Sequence, residues 1–122
     1  MGKRILVVED HEDNRQILRD LLGSAGFEMI EAGDGEAALR VAAAEHPDLI
    51  LMDVQLPVLD GYEATRRIKS DPLLKAIPII VVTSYALSGE EVRARRAGCD
   101  AYVAKPYSPR QLLAKIRTYL PA

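Results

Sequence analysis

At 122 residues the chain is long enough to bury a real core and short enough to read as one domain, residues 1–122. A formal net charge of −2 and a hydrophobic content of 48% are those of an ordinary soluble globule and argue against non-specific nucleic-acid binding. The one cysteine, Cys99, excludes an internal disulfide and suits a reducing cytoplasm, and no apolar run approaches the roughly 20 residues of a membrane span.

Met1-Gly-Lys-Arg is too short for a signal peptide and opens directly into a strand, Arg4 to Val8. That strand runs into an acidic cluster: Glu9, Asp10, Glu12 and Asp13. A helix follows with Ile17, Leu18, Leu21 and Leu22 on its apolar face, stopping near Gly23 and Gly26. Glu28 to Ala32 is a short second strand, the least apolar, which suits a sheet edge. Gly33-Asp-Gly35 turns into an alanine-rich helix from about Glu36 to Glu45, with Asp34 as its N-cap.

His46-Pro47-Asp48 breaks that helix, and Leu49-Ile-Leu-Met-Asp53 follows, four apolar residues ending in a carboxylate. Such a run, bounded by turn residues, reads as a strand buried on both faces. A third helix starts after Asp60 and ends by Asp71-Pro72. Ile79 to Val82 is a fourth strand running into Thr83-Ser84; Ser88-Gly-Glu-Glu91 reads as a capping box for a helix that closes at Gly98. Ala101 to Ala104 is the last strand, leading to Lys105-Pro106. Ser108-Pro-Arg-Gln111 combines a capping box with proline at the first helical position of a helix carrying Leu112, Leu113, Ile116 and Leu120.

Five βα units predict an α/β fold: a doubly wound, parallel five-stranded sheet in order 2-1-3-4-5, with right-handed crossovers. All strand ends then lie on one edge, which gathers Glu9 and Asp10, Asp53, Thr83 and Lys105. The crevice of such a fold opens between strands one and three, which carry the carboxylates. Two ionised carboxylates about 4 Å apart repel by roughly 4 kcal/mol at an effective dielectric near 20. The cluster must shift its pKa values or recruit a cation. Lys105 offsets one charge. An all-oxygen ligand set suits Mg²⁺ or Mn²⁺, not zinc, for the remainder. A cation, a lysine, a hydroxyl and a spare carboxylate make a phosphoryl-transfer site with Asp53 as nucleophile.

These residues, in this order at these strand ends, resemble the receiver domain of response regulators, the CheY-like family with a flavodoxin-like fold. Within it the chain is similar to the single-domain DivK type. The motifs are Glu9-Asp10, Asp53 with Pro57 and Asp60-Gly61, Thr83-Ser84, Tyr102 and Lys105-Pro106, and the match spans essentially the whole chain. The resemblance implies that Asp53 accepts a phosphoryl group from a histidine kinase or a histidine phosphotransfer protein. It implies that Asp10, Asp53 and the Gln55 carbonyl bind Mg²⁺ directly, Glu9 through a water. Lys105, the Thr83 hydroxyl and the Ser84 amide would hold the phosphoryl oxygens, and Lys105-Pro106 would be cis. Thr83 and Tyr102 would switch a protein-binding face of helix four, strand five and helix five. Gln55 and Tyr85 would tune the lifetime of the acyl phosphate, with Tyr85 shielding it from water. Leu56, where many receivers carry Met, and the Glu-Asp acidic pair are departures within the family's range.

Three rivals are weaker. A haloacid-dehalogenase-like phosphatase needs a second Asp two residues after the nucleophile, where this chain has Gln55. A dinucleotide-binding domain needs a glycine-rich turn where Glu9 to Asp13 would repel a pyrophosphate. A pseudo-receiver that binds partners without phosphorylation would not need the full polar set. The expectation is a signalling domain, not an enzyme, acting on a downstream protein without direct contact to nucleic acid or membrane. His11 reads as a surface residue, Cys99 as a packing residue, and Arg93, Arg95 and Arg96 as a solvated helix face.

Overall fold

The computed structural model describes residues 2–83 and 90–121. The elements alternate: β1 (Arg4–Val8), α1 (Glu12–Ser24), β2 (Glu28–Ala32), α2 (Gly35–Glu45), β3 (Leu49–Asp53), α3 (Gly61–Ser70), β4 (Ile79–Thr83), α4 (Glu90–Ala97), β5 (Ala101–Ala104) and α5 (Pro109–Tyr119). The strands form one sheet in the order β2-β1-β3-β4-β5. Every pairing is parallel, so the expected doubly wound α/β topology holds. β2 lies at an edge, and its mixed burial explains its weaker apolar pattern.

Strand alternation divides the interior into two cores. Leu6, Val8, Ile50, Met52, Ile79 and Val81 face α2, α3 and α4, meeting Ala38, Ala64, Ile68 and Ala94. Ile5, Val7, Leu49, Leu51, Ile80 and Val103 face α1 and α5, meeting Leu18, Leu22, Leu112 and Ile116. Leu49, Ile50 and Met52 are fully buried, each stabilising the fold by about 1.5–3 kcal/mol relative to exposure. Two-sided burial is why β3 reads as an unbroken apolar run.

Local chemistry starts the helices where it should. Ala37 N donates to Asp34 Oδ1 at 2.8 Å, and Glu63 N donates to Asp60 Oδ1 at 2.9 Å. At α5 both halves of the capping box form: Gln111 N donates to Ser108 Oγ at 3.1 Å, and Ser108 N donates to Gln111 Oε1 at 2.9 Å. The Ser88 cap expected for α4 lies outside the described residues. One expected core residue is not in the core. Ile17 is 63% exposed, because its position turns it to the rim of α1 while Leu18 and Leu22, one turn apart, take the buried stripe.

Two glycines allow the carboxyl edge to close up. A Cβ on Gly61 would lie 2.1 Å from the Asp53 carbonyl oxygen, and one on Gly35 would lie 2.1 Å from the Leu59 carbonyl oxygen. No side chain fits at either contact. Gly61 therefore seats the start of α3 directly on the end of β3, and Gly61 N donates to Val54 O at 3.0 Å.

Candidate functional site

Asp53 ends β3 in register with Val82 of β4. Its Oδ1 accepts the Gln55 amide at 3.1 Å, and its Oδ2 lies 3.4 Å from Lys105 Nζ. Lys105 follows β5, and its peptide bond to Pro106 is cis, as expected. Lys105 N donates to the Thr83 carbonyl oxygen at 2.7 Å. That bond ties the lysine's backbone to the end of β4. Thr83 itself is fully buried.

Glu9, at the end of β1, supplies the second buried carboxylate; it is 3% exposed. Oε1 accepts Asn14 Nδ2 at 2.9 Å and lies 3.7 Å from Lys105 Nζ. Oε2 accepts the Asp10 amide at 2.9 Å and the His11 amide at 3.4 Å. The structure thus brings Glu9, Asp10, Asp53, Gln55, Thr83 and Lys105 to one edge. Ser84 and Tyr85 lie outside the described residues. Tyr102 is half-buried on β5 and packs against the core beneath α2, α3 and α4.

The electrostatics follow from crowding two acids with one lysine. Asp53 is pushed up to about 6, first by burial and next by the hydrogen bond it shares with Glu9; the Lys105 charge pulls the other way. For Glu9 burial also acts upward. The hydrogen bonds from Asp53 and Asn14 and the Lys105 charge outweigh it, so Glu9 sits below the usual carboxylate range. Glu9 is the committed anion and Asp53 the member that holds a proton longer. Burial, followed by the Glu9 and Asp53 charges, raises the neighbouring Tyr107 phenol.

Asp10 Oδ1 is buried and accepts no hydrogen bond among the described residues. His11 has a side chain 72% exposed, as expected of a surface residue. Its ring nevertheless turns back toward the acids, with Nδ1 3.1 Å from Asp10 Oδ1 and 3.6 Å from Glu9 Oε2. Glu9, Asp10 and His11 together offer ligand atoms within 4.8 Å of one another.

Sequence reasoning missed two residues on α1. Asn14 anchors the Glu9 carboxylate, and Arg15 Nη1 donates to the Glu9 carbonyl oxygen at 2.8 Å. Spacing does not announce them: both act by folding back from the start of α1 over the end of β1. Arg93, read as solvated, is exposed but lies over the Tyr62 ring at 4.6 Å. Cys99 is half-buried against the same core as Tyr102, a packing residue as expected.

Fold and site together define a doubly wound α/β protein with a carboxylate-lysine centre at the carboxyl edge of its sheet. The model of the response regulator receiver domain matches residues 5–117, and the chain belongs to that family. It is 45% identical over 120 residues to the polar-differentiation response regulator DivK of Brucella ovis, covering 98% of each chain. Among solved structures it superimposes on the receiver domain of a sensor histidine kinase from Pseudomonas aeruginosa with a TM-score of 0.92 and 37% identity, covering all of both chains; that crystal has a magnesium ion coordinated in the active-site cleft. A CheY-like response-regulator receiver protein from Methanospirillum hungatei gives 0.90 and 33%, covering 98% of this chain and 94% of that one. The protein is a DivK-like receiver of two-component signalling, a family whose standard role is to accept a phosphoryl group. Among the described residues, no helix is long and apolar enough to cross a membrane.

Proposed function

We propose that residues 1–122 act as one receiver unit in which Asp53 is the phosphoacceptor. The supporting observation is the Asp53 carboxylate at a strand end, 3.4 Å from a lysine that also lies 3.7 Å from the buried Glu9 carboxylate. A phosphohistidine on a histidine kinase or phosphotransfer protein is the donor. An Asp53 oxygen attacks phosphorus, the new P–O bond forms as the P–N bond breaks, and the leaving imidazole nitrogen keeps the bonding pair. Lys105 meets the charge on the transferring oxygens with its ammonium, and the Thr83 hydroxyl and Ser84 amide hold them.

The donor set fits Mg²⁺ or Mn²⁺. It is all oxygen at Asp10, Asp53 and the Gln55 carbonyl, and the buried Asp10 Oδ1 accepts no hydrogen bond among the described residues. Glu9, held by Asn14 and two backbone amides, would orient a water on the ion rather than bind it. When bound, the ion would offset the carboxylate charge and polarise the phosphoryl oxygens.

The product adds nearly two negative charges at Asp53. They draw Thr83 inward, Tyr102 moves into the vacated space, and the face of α4, β5 and α5 changes shape for a downstream protein. Gln55 and Tyr85 set the lifetime. The unit acts in the cytoplasm, without contact to nucleic acid or membrane, and assists its own phosphorylation and dephosphorylation. Incubation with Mg²⁺ and acetyl phosphate should add about 80 Da, the mass of one phosphoryl group, and Asp53→Asn should not take it up. No adduct on the wild type would leave a phosphorylation-independent interaction module. Multiple turnover of phosphate esters would make the chain a phosphatase.

A further inference from the structure

We infer that His11 supplies a nitrogen ligand to the divalent ion of this site, so that the site favours a first-row transition ion such as Mn²⁺ over Mg²⁺ more strongly than its carboxylates alone would. The inference rests on the metal-binding reading above and adds a ligand to it.

Three consecutive residues at the end of β1, Glu9, Asp10 and His11, each offer a ligand atom within 4.8 Å of the other two; Glu9 would reach the ion through its water, and Asp10 and His11 directly. The closest pair is His11 Nδ1 and Asp10 Oδ1, at 3.1 Å. Asp10 Oδ1 is buried and accepts no hydrogen bond among the described residues, so with a neutral imidazole the contact leaves both atoms open to a cation. An octahedral ion with ligands at about 2.1 Å holds its adjacent ligands about 3 Å apart. The His11–Asp10 separation matches that edge.

Lys105 and the His11 ring lie against different oxygens of the Glu9 carboxylate. Lys105 approaches Oε1 from the Asp53 side, and His11 Nδ1 lies 3.6 Å from Oε2 on the Asp10 side. Lys105 therefore does not occupy the space between His11 and Asp10. The imidazole is largely exposed, so an ion arriving from solvent meets it first. Carboxylate, carbonyl and water suit Mg²⁺ and Mn²⁺ alike, whereas an imidazole nitrogen adds affinity for transition ions that Mg²⁺ gains little from.

The test is a titration of the full chain with Mn²⁺ and with Mg²⁺, for wild type and for His11→Gln, read by Mn²⁺ electron paramagnetic resonance and by competition. Wild type should show pulsed-resonance coupling to a histidine nitrogen, and His11→Gln should lose it. The variant should weaken Mn²⁺ about tenfold, the low end of what loss of a metal-supporting group costs, and Mg²⁺ by less than twofold. The chain's other histidine, His46, caps the end of α2 and serves as an internal control. Binding of both ions with no histidine-nitrogen coupling and no change in His11→Gln overturns the role of His11 and leaves the carboxylate site standing. Failure of wild type to bind either ion overturns both.

Discussion

Replacing Asp53 with asparagine should stabilise the metal-free protein. Asp53 is raised from its ordinary 3.8 to about 6, chiefly by burial and by the carboxyl group of Glu9. The folded state therefore holds a proton that the unfolded chain releases, and stability falls as pH rises from about 4 to about 6. Above that window both states are ionised and the loss stays constant. About two pKa units correspond to about 3 kcal/mol at full value. Allowing half for solvent screening at a partly exposed group leaves about 1.5 kcal/mol. Asp53→Asn removes that penalty, and Lys105 keeps its contact with Glu9 at 3.7 Å. Urea unfolding in a chelator should place the variant about 1.5 kcal/mol above wild type at pH 7.5 and level with it near pH 4, a midpoint shift of roughly 0.5–1 M. A divalent ion at ten times its dissociation constant should return about 1.4 kcal/mol to wild type and narrow the gap. A variant no more stable than wild type at pH 7.5 without metal, or one with the same advantage at pH 4, refutes this account of the acid pair.

Lys105→Met should slow phosphorylation by acetyl phosphate about 100-fold, the usual cost of removing one donor to a developing oxyanion, with the mass-spectrometric adduct as the readout. Gly61→Ala should cost about 1–3 kcal/mol in urea unfolding, because its Cβ must displace the Asp53 carbonyl from 2.1 Å; it should slow phosphorylation as well, since the carboxylate moves with its backbone. Asn14→Leu should raise the low pKa of Glu9, read by carboxyl carbon resonances, because a buried carboxylate then loses its 2.9 Å amide donor. Ser108→Ala should cost about 1 kcal/mol of stability and leave the phosphorylation rate unchanged, since the lost cap lies at the start of α5.

The topology was legible because the strands bury both faces and write themselves as apolar runs, and because Asp34, Asp60 and Ser108 mark helix starts. The site was legible because parallel strands bring their ends to one edge. That placement needs only strand order, not side-chain contacts. What stayed hidden depends on three-dimensional approach. Ile17 fits an apolar face on spacing alone, yet one position's rotation puts it at the rim. Asn14 and Arg15 act by folding back across the β1–α1 turn, a reach that periodicity does not encode. Val58 adopts a φ of 69°, unusual for a β-branched residue, and nothing in the local sequence announces it. The turn of the His11 ring toward Asp10 is of the same kind: residue order makes them neighbours but does not set which way the imidazole points.

The sheet also works as a partition. Leu49 and Leu51 pack with α1 and α5, while Ile50 and Met52 pack with α2, α3 and α4. Between the compartments runs a hydrogen-bonded wall of backbone that a methyl-sized void on one side does not cross. Each compartment can thus drift through its own series of repackings while the other stays put. Asp53 is mounted where the wall ends, at the carboxyl end of β3.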